Sequence, residues 1–299
     1  MLTTLQVGKY RPDAWRQLLV NSWRQSHTVA QQRPALVKSW RILAYSGIGM
    51  TTFMGIYSAR RFGFRRSAKS QGWLVLSSAY IVGDTYVHLG LHRSPFGKPY
   101  RTLGPAMPLT LLRYWVGGWI MSRLFHNPMS NDEQIVALAT ILVTDIADGI
   151  TARRTDMVSA LGRYLDGEAD MLAWTALTIT QIRRGQIPAW FLAVFAFRWG
   201  VPVGLGLMQS FITTKPAPLV PSTVGRIAGA AHVLMAVGSI IPLPRGMVTS
   251  ARWSKIKDGS VIITSLLLGA TAVQHAIRLT QQMIKIRAYQ NKDSQRRRG

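Results

Sequence analysis

The sequence predicts an all-α fold: a polytopic membrane helical bundle of six core transmembrane helices, preceded by one or two extra hydrophobic segments. Three observations carry this expectation. Aliphatic, aromatic and sulfur residues make up 48% of the 299 residues, and mean hydropathy is +0.12 despite a net charge of +24. The apolar residues come in runs near the roughly 20 that a helix needs to cross a bilayer. The Lys and Arg residues gather at the ends of those runs, at Lys38, Arg41, Arg60, Arg61, Arg153, Arg154, Arg183 and Arg184, where a membrane helix meets anionic head groups. The short alternating strands of a membrane β-barrel are not in the pattern.

The elements follow in order. Residues 1–41 are polar and basic and have no apolar core in the first 30, so no secretory signal is expected; a weak transit-peptide reading survives. Apolar stretches at 42–59 and 72–91 come next. If both span, loop 60–71 carries its basic residues to the outer side, and an interfacial placement of one stretch is the alternative. The second stretch holds Asp84 and His88 one helical turn apart, read as a hydrogen-bonded pair facing the bundle, with a second polar site as the alternative. A Gly- and Pro-containing link at 92–107 leads to six apolar windows at about 109–125, 134–152, 158–182, 188–211, 222–243 and 259–279. The breaks between them carry turn chemistry: Asn127-Pro128, Gly185, Pro188, Pro216, Pro218, Pro221, Pro242, Pro244 and Gly246. Loop 126–133 has no Lys or Arg and reads as outer; Arg153-Arg154 marks the inner side. Loop 244–258 is outer by parity although it holds Arg245, Arg252, Lys255 and Lys257. The expected organisation is a basic extension over 1–100, a membrane domain over 101–284 and a basic cytoplasmic tail over 285–299.

Composition also excludes functions. With no cysteine there is no disulfide, thiolate nucleophile or Cys-based metal site. The basic excess is not interleaved with exposed aromatics in a soluble segment, so nucleic acid is not an expected partner.

The chemistry lies in the acids, which number only 12. Six fall between 145 and 170, in a window otherwise apolar enough for two spanning helices: Asp145, Asp148, Asp156, Asp166, Glu168 and Asp170. Carboxylates at membrane depth are costly and mark a site. Asp145 and Asp148 share one helix face, as do Asp166 and Asp170. Two such pairs on neighbouring helices bring four carboxylates together, which repel unless a cation joins them, and all-oxygen ligation suits Mg²⁺ or Mn²⁺. Gly149, Ala152 and Gly162 keep these faces free of bulk, and Arg153 adds a cation of the kind a phosphate site uses. The implied chemistry is metal-assisted transfer at a phosphate or diphosphate. Asp156 and Glu168 lack a partner at helical spacing and read as solvated rim residues. Asp170, one turn beyond Asp166, is expected nearer the open side of the cluster. Arg198 follows the apolar run Phe191–Phe197, and an anion would offset the cost of its charge. Snorkelling to the surface is the alternative for it and for Arg113 and Arg226.

Asp145-x2-Asp148-Gly149-x2-Ala152-Arg153-x8-Gly162-x3-Asp166-x3-Asp170 resembles the signature of the CDP-alcohol phosphatidyltransferase family at all eight fixed positions. Average residue usage makes such agreement by chance a matter of about 10⁻¹⁰ per starting position. Weaker likeness extends over about 105–283. Thr110-Leu-Leu-Arg113 is similar to the family's T-x-x-R, with Met107 where an Asn is frequent; Gly225-Arg226 is similar to its G-K element, with Ala228-Gly229 in place of K-T. Arg198 stands where many members with phosphorylated acceptors carry an Arg, as in the phosphatidylglycerophosphate and phosphatidylinositol-phosphate synthase type. Leu165-Asp166-Gly167-Glu168-Ala169-Asp170-Met171 lacks the Pro and Lys of the former.

The resemblance implies that a CDP-linked lipid, usually CDP-diacylglycerol, gives its phosphatidyl group to an alcohol and CMP leaves. It implies that Asp145, Asp148, Asp166 and Asp170 hold one or two Mg²⁺ (or Mn²⁺), with Asp170 also taking the acceptor's proton. Gly149, Ala152, Arg153 and Gly162 would form the CDP pocket, and Arg198, Arg113 and Arg226 would bind the acceptor's phosphate. It further implies a homodimer and an active site on the cytoplasmic side of a multi-pass membrane protein. An intramembrane Mg-dependent prenyltransferase and a non-enzymatic cation transporter using the carboxylates as a relay are the competing readings.

Overall fold

A computed structural model describes residues 12–94, 96–124, 129–212, 222–241 and 250–296. Among these residues the chain forms nine α-helices: α1 Pro12–Gln32, α2 Pro34–Phe62, α3 Phe64–Val87, α4 Met107–Arg123, α5 Asn131–Arg154, α6 Ala160–Arg183, α7 Phe191–Ile212, α8 Thr223–Ile240 and α9 Ser250–Arg296. One 3₁₀ turn, Leu89–Leu91, and one isolated bridge between Arg93 and Pro99 complete the regular structure described. The all-α expectation is met. Eight of the helices fall on the apolar windows. The ninth, α1, was not foreseen, because its stripe is set in a polar, basic sequence. The breaks at Pro216–Pro221 and at Pro242–Gly246, Asn127-Pro128 in loop 126–133, and the last residues of the basic tail lie outside the described residues. The earlier part of that tail, 285–296, continues α9 as helix.

Among the described residues three helices are long and apolar enough to cross a bilayer: α5, α8 and the Arg252–Ile284 part of α9. The first half of α7, Phe191–Leu205, is apolar but shorter. α4 and α6 occupy the other core windows and fall short, α4 with 17 residues that include Arg113 and Arg123, α6 through the charges of Arg163, Asp166, Glu168 and Asp170. This is a membrane protein by its helices, and of those charges Arg113, Asp166 and Asp170 meet at the site described below.

Contacts divide the chain into two compact units, one of residues 16–184 and one built on residues 185–299. In the first, α4 is the central element and packs on α2, α3, α5 and α6. Small residues allow this. A Cβ on Gly117 would lie 3.0 Å from the Ala173 backbone, so α4 and α6 touch almost main chain to main chain; a Cβ on Gly47 would collide with Trp115 at 2.3 Å, which seats α2 on α4. Leu36, Leu43, Ile81, Leu111, Trp115, Leu161 and Leu165 fill the space between. The N-terminal helices are therefore part of this unit's core.

In the second unit α9 packs along both α7 and α8. Ser222 caps α8 by accepting the Gly225 N–H at 3.0 Å. The buried His232 of α8 lies between the rings of Phe191 and Phe195 of α7, with centroids 5.9 and 5.3 Å away.

Candidate active site

Local sequence fixes each arm of the site. α5 starts in a capping box: Ser130 Oγ accepts the Glu133 N–H at 3.2 Å, and Glu133 accepts the Ser130 N–H at 2.8 Å. Fourteen residues of helix then carry Asp145 and Asp148 to the far end on one face. The chain turns through 155–159, with Asp156 at φ 51°, and α6 begins at Ser159, whose Oγ accepts the Gly162 N–H at 3.0 Å. Asp166 and Asp170 follow along the α6 face that meets α4 and α5.

Carboxylate oxygens of Asp145, Asp148 and Asp166 lie within 4.8 Å of one another. Thr110 of α4 donates its hydroxyl to Asp148 at 3.0 Å. Arg113, with no exposed surface, sits among all four motif aspartates. It donates to Asp145 at 2.8 Å and to Asp166 at 2.7 Å, and also to Asp148 and Asp170. The expectation that Arg113 binds an acceptor phosphate is thus corrected. Its guanidinium is a counter-charge to the cluster, and being three residues after Thr110 puts both on the face of α4 turned to α5 and α6. Asp170 joins the other aspartates through Arg113. Its side chain is 30% exposed against 51% for Asp145 and 42% for Asp166, so it lies deeper than the open position its spacing suggested.

The donor set fits a hard divalent cation. Three carboxylate oxygens converge with no His or Cys in the group, which is the ligation Mg²⁺ and Mn²⁺ take. One guanidinium also leaves the four carboxylates with excess negative charge.

Beside the cluster is a cavity of about 430 Å³. Gly149, Ala152, Arg153 and Gly162 all line it, together with Asp148, Asp166, Thr110 and Ser159. The four residues expected to form a nucleotide pocket are brought to one cavity, three from α5 and Gly162 from α6. Gly149 is small for a visible reason: a Cβ there would lie 3.2 Å from the Arg153 guanidinium, which lies across it.

Glu168, read as a rim residue, is instead part of a second polar network on another face of α6. It accepts hydroxyls from Tyr164 at 2.7 Å, Tyr114 at 3.3 Å and Tyr80 at 3.5 Å. Asp84 and His88 are paired as expected, with Nδ1 of His88 3.1 Å from Asp84 Oδ1 and the His88 ring tilted 40° to that of Tyr164 at a centroid distance of 4.6 Å. Asp156 is exposed, as a rim residue would be.

Arg198 and Arg226 belong to the second unit. Arg198 is half-buried on α7, its guanidinium carbon 5.5 Å from the Trp199 ring centroid. Arg226 is exposed in the first turn of α8.

Sequence reasoning missed the central place of Arg113, the pocket residues Ser159 and Met157, and the tyrosines around Glu168. Two signals were there to find: the shared face of Thr110 and Arg113, and the one-turn spacing of Tyr164 and Glu168.

A helical membrane fold with clustered carboxylates beside a pocket of small residues fits the class of intramembrane transferases acting on diphosphate-linked substrates. Within that class the family model for CDP-alcohol phosphatidyltransferase matches residues 105–281, well over half of the chain, and the chain belongs to that family. Among curated proteins it is similar to the probable cardiolipin synthase (CMP-forming) of Drosophila melanogaster, 33% identical over 97 residues, 32% of this chain and 29% of that one. It is also similar to the cardiolipin synthase (CMP-forming) of Streptomyces coelicolor, 35% identical over 81 residues, 27% of this chain and 38% of that one. The matched stretch spans less than two-fifths of either relative. No solved structure matches the chain significantly.

Proposed function

We propose that this protein transfers a phosphatidyl group from CDP-diacylglycerol to an alcohol with release of CMP, in phospholipid biosynthesis. The observation that carries the reading is the convergence of the motif carboxylates beside a 430 Å³ pocket whose wall is the motif's small residues and Arg153. Asp145, Asp148 and Asp166, with Asp170, would hold one or two Mg²⁺ or Mn²⁺. When bound, the metal supplies positive charge to the diphosphate and to the leaving CMP. Gly149, Ala152 and Gly162 let the nucleotide approach the backbone, and Arg153 offers its guanidinium to the diphosphate. Asp170 accepts the proton of the acceptor hydroxyl. The freed oxygen bonds to the phosphorus that bears diacylglycerol, and the bond from that phosphorus to the oxygen of CMP breaks. Arg113 keeps the carboxylates together and oriented.

The acceptor reading follows the names of the relatives. Cardiolipin holds two phosphatidyl groups on one glycerol. Making it by phosphatidyl transfer needs an acceptor whose glycerol already carries one, namely phosphatidylglycerol. Its phosphate is the anion that Arg198, aided by Arg226, would bind. We place the active site on the cytoplasmic side and take the working unit as a homodimer. We also keep the division into a 1–100 extension, a 101–284 catalytic domain and a 285–299 tail.

The test is CMP release from CDP-diacylglycerol by purified protein, with phosphatidylglycerol, glycerol 3-phosphate, inositol phosphate and inositol as acceptors and product masses recorded. Phosphatidylglycerol should support turnover and yield cardiolipin. Best turnover with another acceptor overturns the acceptor reading alone; no CMP with any acceptor overturns the activity.

A further inference from the structure

The segment joining α3 to α4 lies almost wholly ahead of the family-matched residues, yet it reaches the pocket. The bridge between Arg93 and Pro99 folds it back on itself and brings the His92 and Tyr100 rings to 5.2 Å. His92 is 1% exposed. Its Nε2 lies 2.7 Å from the Thr102 carbonyl oxygen, which only accepts, so Nε2 carries the hydrogen and Nδ1 of the neutral ring is an acceptor. Burial, against the opposing pull of the Thr102 carbonyl and with a smaller push from the charge of Arg33, holds His92 below the ordinary histidine range. Ser159 Oγ faces Nδ1 at 3.2 Å and therefore donates to it, while accepting the Gly162 N–H at 3.0 Å. The rotamer of this capping serine, which lines the pocket, is thus held from both sides.

Tyr100 holds the same turn from its other end. Its hydroxyl reaches the carbonyl oxygens of Asp156 at 2.7 Å and Val158 at 3.2 Å. Asp156, at φ 51°, has a backbone conformation that a non-glycine residue adopts at a cost and that its surroundings must enforce. Met157 between them packs on Gly104, where a Cβ would lie 2.9 Å from its sulfur.

We propose that His92 and Tyr100 are positioning residues for nucleotide binding: they clamp the 155–159 turn and the start of α6, and so set the spacing between the Gly149–Ala152 and Gly162 walls of the pocket. The inference rests on the reading of that cavity as the CDP site. The two walls belong to different helices, and the turn clamped by His92 and Tyr100 is the link between them.

The full-length protein in detergent is titrated with CDP and Mg²⁺, and steady-state rates are measured with CDP-diacylglycerol and acceptor varied in turn. His92→Leu and Tyr100→Phe should each raise the Kd for CDP and the KM for the CDP-lipid about tenfold, with kcat and the acceptor KM within about threefold of wild type. His92→Asn, whose amide oxygen can stand near the place of Nδ1, should recover most of the loss. Should His92→Leu fail to fold, Tyr100→Phe, which removes one oxygen atom, carries the measurement. Unchanged CDP affinity in both variants, a fall in kcat with KM unmoved, or an Asn variant no better than Leu overturns the proposal alone. A wild-type protein that takes up no CDP overturns the pocket reading and this inference with it.

Discussion

Helix α6 carries two carboxylate networks on two of its faces, and they are built differently. On one, Asp166 and Asp170 meet Asp145 and Asp148 around a single guanidinium. On the other, Glu168 receives three tyrosine hydroxyls and lies near the Asp84–His88 pair. The second network satisfies its acid with neutral donors and spreads them over α3, α4 and α6, so it ties helices together. The first crowds like charges with one counter-charge and opens on a cavity, the arrangement a cation site would have. Two acids two residues apart in sequence thus do opposite work, and the partner type, not the depth, tells them apart.

The sharpest way to break this contrast is to remove a carboxylate from the crowded face. Asp148→Ala or Asp166→Ala should lower CMP release by about 10³-fold or more, since each would be a ligand of the proposed metal and is a partner of Arg113. Near-normal turnover in either would put the two faces on equal terms. Chelation should act on the crowded face alone: activity vanishes with a divalent chelator and returns on adding Mg²⁺ or Mn²⁺, while thermal stability of the Glu168 network is unaffected. Full activity in chelator would end the metal reading. Next in size is Asp170→Asn, expected to cost about 10²-fold in kcat while CDP affinity stays, the loss of general-base help. Joint loss of binding and turnover would make Asp170 chiefly a ligand. Arg198→Lys should raise the acceptor KM about tenfold and leave that of the CDP-lipid within about threefold, because an ammonium cannot replace a bidentate fork. An uncharged alcohol as best acceptor would remove this role. Smallest is Glu168→Gln on the tyrosine face: rates within about threefold of wild type and an unfolding midpoint lower by about 2–4 °C. A large loss of rate with an unchanged midpoint would move Glu168 into the site.

Much of the site was legible beforehand because its geometry is local. Spacings of three, four and eight residues put the aspartates and small residues on defined faces of two helices joined by a short turn, and a period reads such faces directly. The position of Arg113 was not legible in this way. The period shows that it shares a face with Thr110, but which neighbouring helix that face meets is a matter of packing across Gly117 and Gly118. For Glu168 the difficulty was the same in reverse: its donors lie on α3, α4 and its own helix, and only Tyr164 stands at helical spacing. α1 escaped because amphipathic helices in basic sequence look like solvated extension until the core they join is known. His92 contributes through a serine 67 residues away, a separation no local pattern records.

The near main-chain contact of Gly117 with Ala173 has a mechanical side. Two rods that touch without intervening side chains have no room to slide or part, so α4 and α6 act as a fixed jaw, with Arg113, Asp166 and Asp170 mounted on it. α5 leans on α4 and only grazes α6, and it bears Asp145 and Asp148 at the end away from the capping box that anchors its start. That start is held where Glu133 meets Ser130 and Arg123. The two aspartates of α5 are thus set against that jaw from both ends of their helix, by the cap at its start and by the turn that joins it to α6.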